Sequence, residues 1–242
     1  IPLSQALDQL EAALTSLEGS LPTQTSMSSA ATASATPGGN IPASPKSILD
    51  RARQLYERRL YAATSSLLTE QFAHDPTLAE NPEALQLLGE SLAEQGDLRG
   101  AKRSLSKLVE HKPGDAQALL RLLALSTVLG ADPQEKTWLS QLAAIPAANQ
   151  PESAPYVRGK LLFLRDDAQA ALPLLNTVAE SSSFYHRARY LIGAAHIQLG
   201  KLDAAETVFK SLADKPPPRR DDDLRVVELC HMALGRIYHE RG

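Results

Sequence analysis

Beyond residue 80, three glycines are each followed by an alanine twelve residues further on. The pairs are Gly89 and Ala101, Gly159 and Ala171, and Gly193 and Ala205. A large apolar residue comes four residues after each alanine, and the last two glycines are 34 residues apart, from 159 to 193. Small residues are needed where two helices cross closely. The spacing therefore predicts a repeated pair of crossing helices, which constrains the fold more than any other feature of the chain.

The region around Gly89 shows the pattern most clearly. Leucines recur at helical spacing between residues 85 and 92 and again between 98 and 108, which predicts two amphipathic helices. Gly96 lies between them, where a residue without a side chain can take a positive φ and end the first helix. Pro113 follows the second helix and ends the unit.

These recurring positions resemble those of the tetratricopeptide repeat (TPR) family, whose helix–turn–helix unit has about 34 residues. The resemblance implies an all-α fold, a right-handed superhelical solenoid of TPR hairpins. We divide the array, 47–242, into units at 47–81, 82–115, 116–151, 152–185, 186–227 and 228–242. The third unit is degenerate and the sixth is incomplete, and we expect further repeats to follow residue 242 in the natural protein.

A separate amphipathic helix is predicted at residues 1–21. Its leucines alternate at spacings of four and three residues, which is a heptad seam: Leu3, Leu7, Leu10, Leu14, Leu17 and Leu21. Three heptads are marginal for an independent coiled coil. The segment could pair with another copy or another protein, dock onto its own array, or be a plain local helix. Residues 22–46 are rich in Ser, Thr, Ala, Pro and Gly and predict a flexible linker with a reach of roughly 25–30 Å.

The TPR resemblance also implies where a partner would bind. In this family the ligand lies in a concave groove lined by the first helix of each hairpin. The matching positions here are Gln86, Glu90, Tyr156, Lys160, Phe163, Arg187, Tyr190, Ile197, Met232 and Arg236. The Lys and Asn pair with which co-chaperone TPR domains hold a C-terminal carboxylate is absent. The mixed apolar and polar lining suits an amphipathic helix or an extended peptide. Alternatively, Phe163 and Ile197 simply pack between neighbouring repeats.

Charge and motifs argue against other classes of protein. The net charge of −3 lacks the basic excess of a nucleic-acid surface, and no stretch approaches the roughly 18 apolar residues of a membrane helix. The six histidines and the single cysteine, Cys230, form no metal-binding motif, and there is no phosphate loop or nucleophile elbow. We expect no enzyme activity, no cofactor and no metal. We expect a soluble protein, with cytoplasm and bacterial periplasm both open.

Three functions remain open at this point. The favoured one is a scaffold that binds a segment of another protein, as a subunit of a multiprotein assembly. The second is an oligomeric or self-docked adaptor that uses helix 1–21, similar to bacterial envelope proteins that join a coiled coil to a TPR array. The third is a helical platform within a longer multidomain protein.

Overall fold

A computed structural model of the protein describes residues 45–214 and 221–241. The predicted helix at 1–21 and nearly all of the linker at 22–46 lie outside the described residues. The described chain is built from α-helices and one short 3₁₀ turn. It divides into two compact units, a first unit that ends at Lys107 and a second unit that begins at Leu108.

The first unit contains two helical hairpins and a short helix between them. Its helices are α1 (Pro45–Glu57), α2 (Tyr61–His74), α3 (Pro76–Ala79), α4 (Pro82–Glu94) and the first part of α5 (Leu98–His111). Asp75 caps α3 by accepting the backbone N–H of Thr77 at 2.9 Å. Asn81 caps α4 by accepting the N–H groups of two residues in its first turn. Small and aliphatic side chains from α1 to α4 form the core of this unit.

The second unit continues the same arrangement through seven further helices. These are α6 (Ala116–Leu129), α7 (Glu135–Ala144), α8 (Ala154–Leu164), α9 (Ala168–Asn176), α10 (Tyr185–Gln198), α11 (Leu202–Ala213) and α12 (Asp221–Arg241), with the 3₁₀ turn at Ala147–Asn149. We call the first helix of a hairpin its A helix and the second its B helix. Within the second unit, α6, α8 and α10 are A helices, and each packs against its own B helix and against the A helix that follows it. The predicted all-α fold of TPR hairpins is confirmed.

The glycines sit where the two helices of a hairpin cross. A Cβ placed on Gly89 would lie 2.8 Å from Leu105 Cγ, and one on Gly159 would lie 2.7 Å from Leu175. At Gly193 the corresponding distance is 2.4 Å, to a ring carbon of Phe209. The paired alanines are fully buried. The glycine is therefore required by the large residue on the B helix, which occupies the space that a Cβ would fill.

The turns between A and B helices use left-handed backbone. Gly96 has φ of 83°, as predicted, and Gly200 has φ of 71° at the matching turn of a later hairpin. In the hairpin of α8 and α9 the same position holds Asp166, with φ of 60°. The next residue, Asp167, caps α9 by accepting the N–H of Ala170 at 3.0 Å. An aspartate tolerates this conformation better than most residues, so the hairpin forms without a glycine.

None of the helices in the described ranges is long and apolar enough to span a membrane.

Candidate functional site

The A helices of the second unit bring most of the predicted binding residues together. Helix α8 packs against α10, and α10 packs against α12. We call the predicted residues on these three helices the A face. It consists of Tyr156, Lys160 and Phe163 on α8, Arg187, Tyr190 and Ile197 on α10, and Met232 and Arg236 on α12. The other two predicted residues, Gln86 and Glu90, lie on α4 in the first unit.

The A face is buried on two helices and open on the third. All six of its residues on α8 and α10 are at most 8% exposed. On α12, Met232 is 51% exposed and Arg236 is half-buried. A side chain that is exposed in the free protein can lose water on binding, whereas a fully buried one can act only through the surface it supports. Met232 and Arg236 are therefore the accessible part of the A face.

The buried aromatic residues of the A face also belong to the packing of the hairpins. The Tyr156 ring stacks on Phe184, with centroids 5.1 Å apart and 24° between the planes. The Tyr190 ring lies 5.6 Å from the ring of Phe209, the residue that fills the Gly193 crossing. Burial raises the pKa of Tyr156, and the positive charge of Arg187 opposes this shift. Both phenol rings thus help to hold neighbouring helices together.

Cations are a second property of the A face. Lys160 is 4% exposed and Arg187 is 7% exposed, so both positive side chains lie out of solvent. The terminal nitrogen Nη1 of Arg236 is buried without a hydrogen-bond acceptor among the described residues. No A-face position holds an aspartate or glutamate. The three cations therefore differ in depth: Lys160 and Arg187 are buried, and Arg236 lies at the accessible end.

The predicted pair in the first unit has the opposite charge. Gln86 donates a hydrogen bond to Oε1 of Glu90 at 3.1 Å. The hydroxyl of Tyr56 on α1 donates to the other oxygen, Oε2, at 2.6 Å. Glu90 thus links the A helices α1 and α4. With Glu94 exposed one turn further along α4, this surface is acidic.

Sequence reasoning missed a buried ion pair in the second unit. Arg165, in the turn after α8, donates from Nη2 to Oε1 of Glu135 at 2.6 Å and to the carbonyl of Ser126 at 3.2 Å. Glu135 also accepts the backbone N–H of Asp132 at 2.8 Å. The cluster joins the end of α6, the start of α7 and the turn after α8. It stabilises the degenerate hairpin, and its partners are too far apart in sequence to be recognised as a motif.

The described residues contain no cluster of three or more His, Cys, Asp or Glu side chains placed to hold a metal ion. Cys230 is completely buried on α12, and burial raises the pKa of its thiol to about 12. It is a neutral packing residue.

Comparisons with known proteins agree with the fold. The tetratricopeptide repeat family matches residues 83–114 and again residues 186–213. A crystal structure of MamA protein superposes with a TM-score of 0.52 at 20% identity, over 66% of this chain and 82% of that one. The fragment MamA 41-end from Desulfovibrio magneticus RS-1 gives a TM-score of 0.56 at 18% identity, over 78% and 96% of the two chains. None of the curated proteins matches this sequence.

The fold defines a class of protein, the α-helical repeat proteins built from successive helical hairpins. Within that class, this chain carries tetratricopeptide repeats at residues 83–114 and 186–213. Such domains are generally scaffolds for protein–protein interaction and are typically not catalytic.

Proposed function

We propose that this protein is a non-enzymatic scaffold that binds a helical or extended segment of a partner protein along the A face, as a subunit of a multiprotein assembly. The observation that carries the proposal is the pairing of Met232, which is 51% exposed, with Arg236 on the open end of the A face. Large exposed apolar side chains beside an arginine are typical of the centres of protein interfaces.

The nature of the partner segment follows from the lining of the A face. Its accessible part combines the apolar side chain of Met232 with the cation of Arg236. An amphipathic segment with acidic residues beside its apolar side would satisfy both properties. The proposed ligand is therefore an acidic, apolar stretch of another protein.

The test uses a displayed library of random peptides selected against the folded chain. The bound peptides are then measured against a double variant, Met232→Glu with Arg236→Glu. Substitution of Tyr156 or Tyr190 would be a poorer test, because both side chains support the hairpins. Lys201→Glu is the matched control, since Lys201 is exposed in the turn after α10 and lies off the A face.

We expect the selected peptides to be acidic and to bind the double variant at least about tenfold more weakly than the control variant. Peptides that bind both variants equally would show that the A face is not the binding surface. A selection that yields no peptide from either the original chain or a chain whose 1–21 seam is broken would contradict the scaffold function itself.

A further inference from the structure

We infer that the side of α12 centred on Gly235 is a second docking surface, which binds an amphipathic helix of a partner protein. This surface, which we call the Gly235 face, consists of four exposed residues on one side of the helix: Leu224, Glu228, His231 and Gly235. The partner helix would take the place that a B helix takes in the complete hairpins, with a large apolar side chain above Gly235. The inference goes beyond the proposed function, because this surface lies beside the A face and takes a different ligand.

Helix α12 is stacked in the array as an A helix. It packs against α10 as α10 packs against α8. Its residues Leu234 and Gly235 repeat the order of Ile192 and Gly193 on α10, a large apolar residue followed by glycine. Leu234 is buried, as Ile192 is. Gly235 therefore stands at the position where the hairpins of this protein have their helix crossing.

The crossing position on α12 is open. In the three complete hairpins the glycine is buried, and a Cβ on it would lie 2.8 Å or less from the nearest side-chain atom of the B helix. Gly235 is exposed, and no described residue would lie within 4 Å of a Cβ there. One turn earlier, His231 is also exposed, whereas Leu85 at the matching position of α4 is buried. The Gly235 face thus has the form of a hairpin crossing that none of the described helices closes.

Exposed apolar side chains surround this opening. Of the large apolar side chains in the described ranges, those that are exposed on α12 are Leu224, Met232 and Tyr238. Met232 lies three residues before the glycine, as Tyr190 does on α10, and the Tyr190 ring contacts Phe209 of the B helix. Met232 can therefore contact a side chain that is inserted above Gly235. Removal of these apolar surfaces from water would favour the docking of a helix.

The complete hairpins define the sequence of the partner helix. Each B helix places a large apolar residue against the glycine, and a buried alanine precedes that residue by four positions. The pairs are Ala101 and Leu105, Ala171 and Leu175, and Ala205 and Phe209. The carbonyl oxygen of the alanine lies 3.5 Å from the Cβ position of Gly89 and 3.4 Å from that of Gly159, so the two backbones approach closely. We therefore expect a partner helix in which alanine is followed four residues later by leucine or phenylalanine.

Charge adds a further requirement to the partner helix. The two helices of a helical hairpin are antiparallel, so residues after the large apolar one lie alongside residues before the glycine. Glu228 is exposed and precedes Gly235 by seven residues, which is roughly 10.5 Å along α12. A lysine or arginine seven residues after the large apolar residue would therefore lie near the carboxylate of Glu228.

A partner protein fits this surface better than a second copy of the chain. The other exposed large apolar residues of the described ranges are single: Leu60 lies in a turn and Val128 near the end of α6. A second copy would thus offer its own α12, whose exposed side has Gly235 at its centre in place of a large residue. Tyr238 at the rim is held against α11, because its hydroxyl donates to Glu206 at 3.1 Å. Two such faces centred on each other would place no large side chain above either glycine.

The experiment uses a B helix of this protein as its probe. Segment 98–112 contains Ala101 and Leu105, and Lys112 follows Leu105 by seven residues. A peptide of this sequence is held helical by a hydrocarbon link between positions 99 and 103, which are exposed on α5, and is labelled with fluorescein. Its binding to the whole chain is followed by fluorescence anisotropy. We expect saturable binding, and a peptide that does not bind would overturn the inference.

Variants of α12 test where the probe binds. Gly235→Leu should weaken binding at least about tenfold, because the new side chain occupies the space that Leu105 of the probe would fill. Gly235→Ala should also weaken binding, although the same change is expected to stabilise the free chain. A purely structural role of Gly235 would not give these opposite effects. Glu228→Lys should weaken binding about two- to fivefold. Equal affinity of the probe for the original chain and for Gly235→Leu would overturn the inference.

Two controls separate this surface from the A face. A probe with Leu105→Ala should bind the original chain at least about tenfold more weakly, because it lacks the inserted side chain. Arg236→Glu should leave the affinity of the original probe unchanged, whereas the library peptides of the proposed function require Arg236. Each proposal can therefore fail while the other stands. Equal loss with Arg236→Glu and Gly235→Leu would overturn the assignment to the Gly235 face, and circular dichroism checks that each variant keeps its helix content.

Sedimentation analysis tests the choice of a partner protein as the occupant. We expect the original chain to be a monomer that forms a one-to-one complex with the probe. A dimer of the original chain that dissociates on Gly235→Leu would show that a second copy covers the Gly235 face, and would overturn the assignment to a partner protein.

Discussion

Gly193 lies directly against the ring of Phe209, so that a single added methyl group at Gly193 would fall 2.4 Å from a ring carbon. Phe209 is itself completely buried and contacts Tyr190 on the same A helix. The ring therefore has no room to move aside. This pair fixes the crossing of α10 and α11, and the pairs Gly89–Leu105 and Gly159–Leu175 repeat the arrangement.

The substitution Gly193→Ala should destabilise the protein in spite of the better helix propensity of alanine. We expect a loss of about 1–3 kcal/mol in the free energy of unfolding, because the added methyl group overpacks a closed crossing. Gly235→Ala is the matched control, since nothing lies within 4 Å of a Cβ at that helical position. It should stabilise by roughly 0.5–1 kcal/mol. Guanidinium unfolding followed by circular dichroism measures the stability of both variants. If the two substitutions change the free energy of unfolding equally, the crossing at Gly193 is not tight.

The ion pair of Arg165 and Glu135 should contribute more to the free energy of unfolding than a solvent-exposed pair of similar geometry. In the exposed pair, Arg53 donates from Nε to Glu83 at 3.0 Å, and the two side chains are 46% and 43% exposed. The Glu135 side chain is only 9% exposed. We expect Arg165→Ala to cost about 1–3 kcal/mol, because it leaves a buried carboxylate without its cation. Arg53→Ala should cost at most about 1 kcal/mol.

The same unfolding measurement decides this comparison. If Arg53→Ala lowers the free energy of unfolding more than Arg165→Ala does, burial of Glu135 is not the reason that its ion pair stabilises the fold. The double variant Arg165→Ala with Glu135→Gln should recover part of the stability, since it removes the buried charge.

Glu206 should make the protein sensitive to acid. Hydrogen bonds from Lys210, Arg241 and Tyr238 lower the pKa of its carboxyl group from 4.5 to about 2 in the folded protein. A lowered folded pKa adds stability above the unfolded value of 4.5, and this is lost as the pH falls towards 2. Relative to Glu206→Gln, the original protein should therefore lose stability between about pH 5 and about pH 2. If the free energies of unfolding of the two proteins change with pH by the same amount, the prediction is wrong.

Cys230 should resist thiol reagents while the protein is folded. Its side chain is fully buried and its pKa is raised to about 12, so the reactive thiolate is scarce at about pH 8. We expect no labelling by Ellman's reagent in buffer and complete labelling in guanidinium. A Met232→Cys variant should react at once at its exposed position, two residues away. Rapid labelling of native Cys230 would show that α12 opens from its neighbours.

The recurring glycines, alanines and apolar residues were enough to predict the hairpins. Two helices can cross closely with only a few combinations of side chains. Gly193 and Phe209 are one such combination, and it is visible in the sequence. The turn at Asp166 was recognisable only by its position in the repeat, because aspartate gives a weaker signal of positive φ than glycine. The pairing of Arg165 with Glu135 had no local signal, since it depends on the fold bringing distant turns together.

The sequence predicts which positions of the A helices form the candidate site, but not how deeply each side chain is buried. Repeat spacing identifies which side of an A helix Tyr156 and Arg187 occupy. It does not reveal that Phe184, in the turn before the next A helix, stacks on Tyr156. Burial depends on such contacts between elements, so the accessible character of Met232 emerged only from the structure. The partner-binding roles of the ten predicted residues stay predictions.

Tyr156 and Tyr190 hold hairpins together through their ring contacts. Under the proposed function, they would also support the surface that a ligand meets. A change at either residue would alter folding and recognition simultaneously. New specificities in such a protein would therefore arise most readily at Met232 and Arg236, where a substitution can change the ligand without loosening the array.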